Sequence, residues 1–117
     1  MAGGKGNTTS ADFLKAWYQA VATTNIVDNA ASSPLTNLYV ELSTGTLTAS
    51  SAQNTTEAAY GSYARVAVAR TSSGWGISGQ TISNVAAINF PTAASGSETE
   101  TYFSVGTASS GAGKVLH

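Results

Sequence analysis

From Thr36 onward, small and β-branched residues alternate with bulkier or polar ones at a period of two, the spacing of strands and not of helices. The clearest strand is 36–43, Thr-Asn-Leu-Tyr-Val-Glu-Leu-Ser. Leu38, Val40 and Leu42 face one way and Asn37, Tyr39 and Glu41 the other, which predicts one core face and one polar face. A second strand is predicted over 63–70, with Ala64, Val66 and Val68 opposite Tyr63, Arg65, Ala67 and Ala69. Its two arginines, Arg65 and Arg70, are an odd number of positions apart and so point to opposite faces of an unbroken strand. The glycines of 71–79, set around Trp75 and Ile77, read as a tight hairpin region. A third strand follows over 81–90, with Ile82, Ala86, Ile88 and Phe90 on one face. Asn84 breaks that face and marks a bulge or strand break, and Pro91 ends the pairing. A fourth strand is predicted over 98–107 and a glycine hairpin over 109–113. Lys114-Val115-Leu116-His117 begins a fifth strand that stops without a turn signal. It is expected either to pair with a neighbouring subunit or to continue in a longer natural chain.

One segment carries the helical period. Phe13, Leu14, Trp17, Tyr18 and Val21 form an apolar stripe on a helix over 11–22, capped by Thr9 or Ser10, with Asp12 in its first turn. Three turns do not hold alone, so the helix must pack, and Phe13 and Trp17 read as packing residues. Residues 1–8, glycine-rich, read as a flexible arm. Residues 25–34 read as a polar loop around Ile26 and Val27. The Ser/Thr/Ala-rich 44–59 reads as a long excursion, the place to look for partner contacts. Together these predict a single mainly-β domain over 9–117, an antiparallel β-sandwich or jelly-roll-like fold with one short N-terminal helix.

Composition narrows the function. Only 9% of residues are charged, against about 25% in ordinary domains, and the net charge is −1. That argues against binding nucleic acid through its phosphates. No apolar run reaches the length of a membrane span, and the N-terminus lacks the apolar core of a signal peptide, as expected of a protein made in the cytoplasm. There is no cysteine. The single histidine, His117, is terminal and poorly placed for a catalytic triad. No cluster has metal-ligand spacing, and the Gly106–Lys114 run fails the phosphate-loop spacing. Glu98 and Glu100 share a strand face and read as a solvated edge. No catalytic, cofactor or metal residue is therefore predicted. Tyr60, Tyr63, Arg65 and Trp75 remain as partner-contact candidates, since Tyr, Trp and Arg dominate interface hot spots. The alternative is structural, with Tyr63 stacked across strands and Arg65 tied to a carboxylate or to carbonyls.

Gly61-Ser62-Tyr63-Ala64-Arg65, following a small-residue loop, resembles a pattern in small tailed-bacteriophage virion proteins. The resemblance extends to the run Ile82 through Phe90-Pro91, to Thr101-Tyr102-Phe103-Ser104-Val105-Gly106 and to Gly113-Lys114-Val115-Leu116. Leu38-Tyr39-Val40-Glu41-Leu42 and the N-terminal helix also fit, so the similarity covers about 11–116. It implies a non-enzymatic virion protein. The leading expectation is a head decoration (cement) protein on the capsid exterior. It would bridge junctions of the major capsid protein as a dimer or trimer and stabilise the shell by many simultaneous contacts. A tail or tail-fibre component is the alternative. A carbohydrate-binding module using Trp75 and Tyr60 as a sugar platform is a third reading.

Overall fold

The computed structural model describes residues 7–22 and 34–117. The elements are α1 (Asn7–Tyr18), β1 (Asn37–Ser43), β2 (Val66–Ala69), β3 (Trp75–Ser78), β4 (Thr81–Asn84) and β5 (Tyr102–Gly106). The fold is mainly β, with antiparallel pairing and one short N-terminal helix, as the periodicity predicts. Most of the predicted arm, and all of the 25–34 loop except Pro34, lie outside the described residues.

Contacts divide the chain into two units. The first combines the described residues up to Thr36 with 69–87, and the second combines 37–68 with 88–117. In the first, α1 packs on the β3–β4 hairpin. The hairpin pairs Trp75 with Asn84 and Ser78 with Thr81. Its two-residue turn begins at Gly79, whose φ of 58° lies in the left-handed region that glycine enters freely. Tyr18, 5% exposed, meets the buried Trp75 edge-to-face at 5.1 Å, and Gln19 Nε2 donates to the Trp75 carbonyl at 2.8 Å. The Arg70 guanidinium donates to the carbonyls of Ala16 and Trp17 at the end of α1 and to that of Leu35. These carbonyls lack helical partners, and a cation suits that end of the helix dipole.

The helix starts and ends four residues earlier than the stripe predicts. Ala20, at φ 56°, turns the chain, and the N–H groups of Gln19 and Val21 both return to the Lys15 carbonyl. Of the predicted stripe only Tyr18 is buried, while Phe13 and Trp17 remain 51% and 47% exposed. The hairpin is the partner of the Tyr18 side of the helix. A residue one position away is turned about 100° from it, so Trp17 is not a packing residue here.

In the second unit the sheet order is β2-β1-β5, with β1 antiparallel to β5 and Glu41 opposite Ser104. Leu38, Val40 and Val105 are buried, as expected of the apolar face. The predicted third strand stops at Asn84, where the face breaks. The Asn84 side-chain amide donates to the Ala86 carbonyl two residues on and draws the chain out of the ladder. The C-terminal residues are not an open strand. Val115 bridges Gly106, Leu116 N–H donates to the Val105 carbonyl, and Val105 N–H donates to that of His117. The 44–59 excursion is also tied down, by a bridge between Ser43 and Glu57 and another between Ala52 and Lys114.

The Trp75 indole N–H has no hydrogen-bond partner among the described residues, so the ring holds its unit together by area and shape. Trp75→Ala is expected to lose about 3–5 kcal/mol in urea unfolding followed by circular dichroism. Trp75→Phe, which keeps an aromatic ring and discards an unpaired donor, should lose under about 1.5 kcal/mol.

Candidate functional site

The side of β1 expected to be polar and open is covered. Glu41 and Ser43 are fully buried, because the chain between Gln53 and Tyr63 bonds across this part of the strand. Gln53 Nε2 donates to the Tyr39 carbonyl at 3.5 Å, Leu42 N–H donates to the Tyr63 hydroxyl at 3.1 Å, and the Ser43 and Thr56 hydroxyls meet at 2.7 Å. A polar strand face thus becomes a polar interior.

Arg65 lies at its centre. Its Nε and Nη2 donate to the two Glu57 carboxylate oxygens at 2.6 and 2.7 Å, the forked geometry of a strong guanidinium–carboxylate pair. Nη1 donates to the Ala108 carbonyl at 2.8 Å and Nη2 to that of Gly111 at 2.7 Å. The Arg65 side chain is 1% exposed and that of Glu57 18%. The Glu57 hydrogen bonds hold the guanidinium charged beyond its ordinary range. One ion pair therefore ties the 44–59 excursion to the C-terminal 108–111 turn.

Gln53, also fully buried, makes a second tie. Its N–H donates to the Gly113 carbonyl at 3.1 Å, and its Oε1 accepts from Ala108 N–H at 2.8 Å. A Cβ at Gly106 or Gly113 would collide with this side chain, so both glycines are needed for close approach.

Glu41 is the exception among these bonded polar groups. Its Oε1 accepts from the Ser104 hydroxyl at 2.7 Å, while Oε2 has no partner among the described residues. Burial pushes its carboxyl above the usual range and the Glu57 charge adds to this, while Ser104 and the Arg65 guanidinium oppose it.

The four contact candidates separate. Tyr60, Tyr63 and Arg65 lie in the second unit and Trp75 in the first. Arg65 and Trp75 are buried, so neither side chain is presented at the surface. Arg65 takes the structural role, tied to a carboxylate and to carbonyls. Tyr63 stacks on Phe90 at 6.3 Å, nearly parallel, and meets Tyr60 edge-on at 5.3 Å. The Tyr60 hydroxyl donates to the Pro91 carbonyl at 2.9 Å. Gly61 allows this fold-back, because a Cβ there would strike Ser95, with which it pairs. A surface cleft of about 260 Å³ remains beside the ion pair, lined by Glu57, Tyr63, Ala64, Ser109, Ser110 and Gly111.

Glu98 and Glu100 precede β5, and their surroundings differ from a simple solvated edge. Both Glu98 oxygens accept from Ala59 N–H, at 2.9 and 3.1 Å. Glu100 is raised above the usual carboxyl range by shielding of its oxygens and by the neighbouring Glu98. No group of three or more metal-ligating side chains occurs among the described residues. Sequence reasoning passed over Glu41, Gln53 and Glu57. The available signal was scarcity: with so few charges, a carboxylate within a strand and another beside a Ser/Thr loop call for the rare arginines as partners.

The model of the family described as Podophage GP4 fiber I protein gp80 matches residues 7–117. No curated protein matches the chain, and no solved structure does.

Two predictions follow from this interior. Arg65→Ala strands the Glu57 carboxylate and two carbonyls, and should cost about 3–5 kcal/mol in urea unfolding. Arg65→Lys should recover little of this, since an ammonium lacks the fork, whereas the double change Arg65→Met with Glu57→Leu should cost less than Arg65→Ala. The second concerns pH. The folded state holds the Glu41 proton more tightly than the unfolded chain does. Stability should therefore fall as pH rises from the ordinary value of 4.5 through the raised folded value. Glu41→Gln should flatten that fall and raise stability at neutral pH. Glu100 acts in the same sense, so Glu100→Gln should flatten a further part of the fall, read by thermal unfolding across a pH series.

Proposed function

We propose, from the premise that this chain belongs to the Podophage GP4 fiber I protein gp80 family, that it is a structural component of a phage tail fibre and works by holding its neighbours, not by converting a substrate. The family match over residues 7–117 carries this reading, because it spans every described element of both units. It supports a virion structural protein and favours the fibre alternative over head decoration.

The interior suits that role. Arg65, Glu57, Gln53 and Ser43 bond with one another's segments and with the backbone, cross-linking two long loops without a disulfide. A fibre part has to keep its shape under load, and internally tied loops resist local opening. The Ser104 hydroxyl and the Glu41 carboxylate are in hydrogen-bond reach of each other, as a covalent mechanism requires, but both residues are fully buried and so closed to a substrate. Glu57 is paired with a cation, and the Ser43 hydroxyl is shared with Thr56.

Cryo-electron microscopy of the virion tests the location. Density for this fold is expected in fibres at the tail, and quantitative mass spectrometry should find far fewer copies than of the major capsid protein. Density tiling the outer head across capsid-protein junctions, at near-capsid abundance, would return the cement reading and overturn this one.

A further inference from the structure

The sugar platform expected of Trp75 and Tyr60 is not built, since Trp75 is buried in the first unit and Tyr60 lies in the second. Unspent hydrogen-bonding groups gather elsewhere in the second unit. They surround the cleft of about 260 Å³ beside the Arg65–Glu57 pair, which Ala58, Tyr63, Ala64 and the 109–111 turn also wall. A guanidinium carries five N–H donors. Arg65 spends Nε, both of Nη2 and one of Nη1, so one Nη1 N–H has no acceptor among the described residues. A carboxylate offers about four acceptor positions. Arg65 takes two of those on Glu57 and the Tyr63 hydroxyl competes for a third. The Ser109 and Ser110 hydroxyls, at the exposed rim, bond no described residue.

Charge and size narrow the ligand. Arg65 and Glu57 are the only charged residues lining the cleft, and they neutralise each other. An anion would meet the carboxylate first, because the Glu57 side chain is 18% exposed and that of Arg65 1%. A metal ion needs several oxygen ligands, and no group of three acidic or histidine side chains occurs among the described residues. What suits the wall is a neutral molecule whose groups both donate and accept. Hydroxyls do both, and here they would meet a spare donor, spare acceptors and two free hydroxyls. The Ala58 and Ala64 methyls give the C–H face of a ring something apolar to rest on. The volume lies just below the roughly 300–1,000 Å³ of pockets for drug-sized ligands, which suits one sugar ring and is short for an extended peptide.

We infer that this cleft binds a single neutral sugar residue, with Glu57 accepting from its hydroxyls, Ser109 and Ser110 bonding at the rim, and Arg65 donating from the wall. The sugar can be a free monosaccharide or one unit of a longer glycan, since the chemistry at the cleft is the same. The site stands on the cleft alone and does not depend on where in a virion the chain sits.

The test is titration of the isotope-labelled chain, followed by amide chemical shifts, with the methyl glycosides of glucose, galactose, mannose and rhamnose and with N-acetylglucosamine. At least one should shift the amides of Ala58, Ala64 and 109–111 with a Kd of roughly 1–10 mM, as befits about a dozen non-hydrogen atoms. Ser109→Ala with Ser110→Ala, both exposed, should weaken that binding about fivefold, and Ala64→Leu should abolish it by filling the cleft. Amide dispersion of each variant checks that it still folds. An oligosaccharide of the sugar that binds separates the sources: equal or tighter binding assigns a glycan unit, and loss of binding assigns the free monosaccharide. No shift with any of these sugars up to about 50 mM overturns the proposal. So does binding unchanged in both variants, or the same amides answering to inorganic phosphate or to an N-acetylated amino-acid amide in place of the sugars.

Discussion

The second unit depends on one buried ion pair. Arg65 reaches from the segment before β2 to the Glu57 carboxylate and to the carbonyls of Ala108 and Gly111. These groups come from three parts of the chain that share no regular ladder. A buried guanidinium is stable only with its donors matched, and here the fork, the carboxylate and two turn carbonyls match them. Other bonds follow from that placement. With the 44–59 excursion drawn in, Gln53 meets Tyr39 and the C-terminal turn, Ser43 meets Thr56, and Glu41 loses its access to water.

Such an interior is unusual for so weakly charged a chain. Among the described residues, Glu41 and Arg65 are buried and the Glu57 side chain nearly so, while some large apolar residues stand outside. A polar interior is directional. Hydrogen bonds require their partners in one geometry, whereas apolar packing tolerates several. A single rigid arrangement of loops is what the proposed fibre role calls for. Glu41 is the counterweight: a fully buried carboxyl with one oxygen bonded and one not lowers stability as the medium becomes less acidic.

The first unit obeys a different rule. Among the described residues its core is one aromatic contact, Tyr18 on Trp75, supported by Gln19 and by Arg70 at the end of the helix. Only one side of α1 is needed for that contact, so Phe13, Trp17 and Val21 stay about half exposed. The two arginines, assigned at the outset to opposite faces of one strand, serve the two units separately. Arg65 closes loops, and Arg70 receives helix carbonyls.

Period and composition alone determined the mainly-β class, the antiparallel type, the short N-terminal helix, the strand at β1 and the break at Asn84. Each follows from neighbours within a few residues, where side-chain alternation and local hydrogen bonding act directly. The resemblance at Gly61-Ser62-Tyr63-Ala64-Arg65 pointed to virion structural proteins before any contact was known. Tertiary structure alone settled what covers each face. Glu41 alternates like a solvent-facing residue, and nothing local shows that a segment begun at Gln53 will bury it. Phe13 and Trp17 read like core because amphipathic spacing records that a face is apolar, not what lies against it. Burial is set by segments distant in sequence, and a pattern confined to one segment carries no record of them.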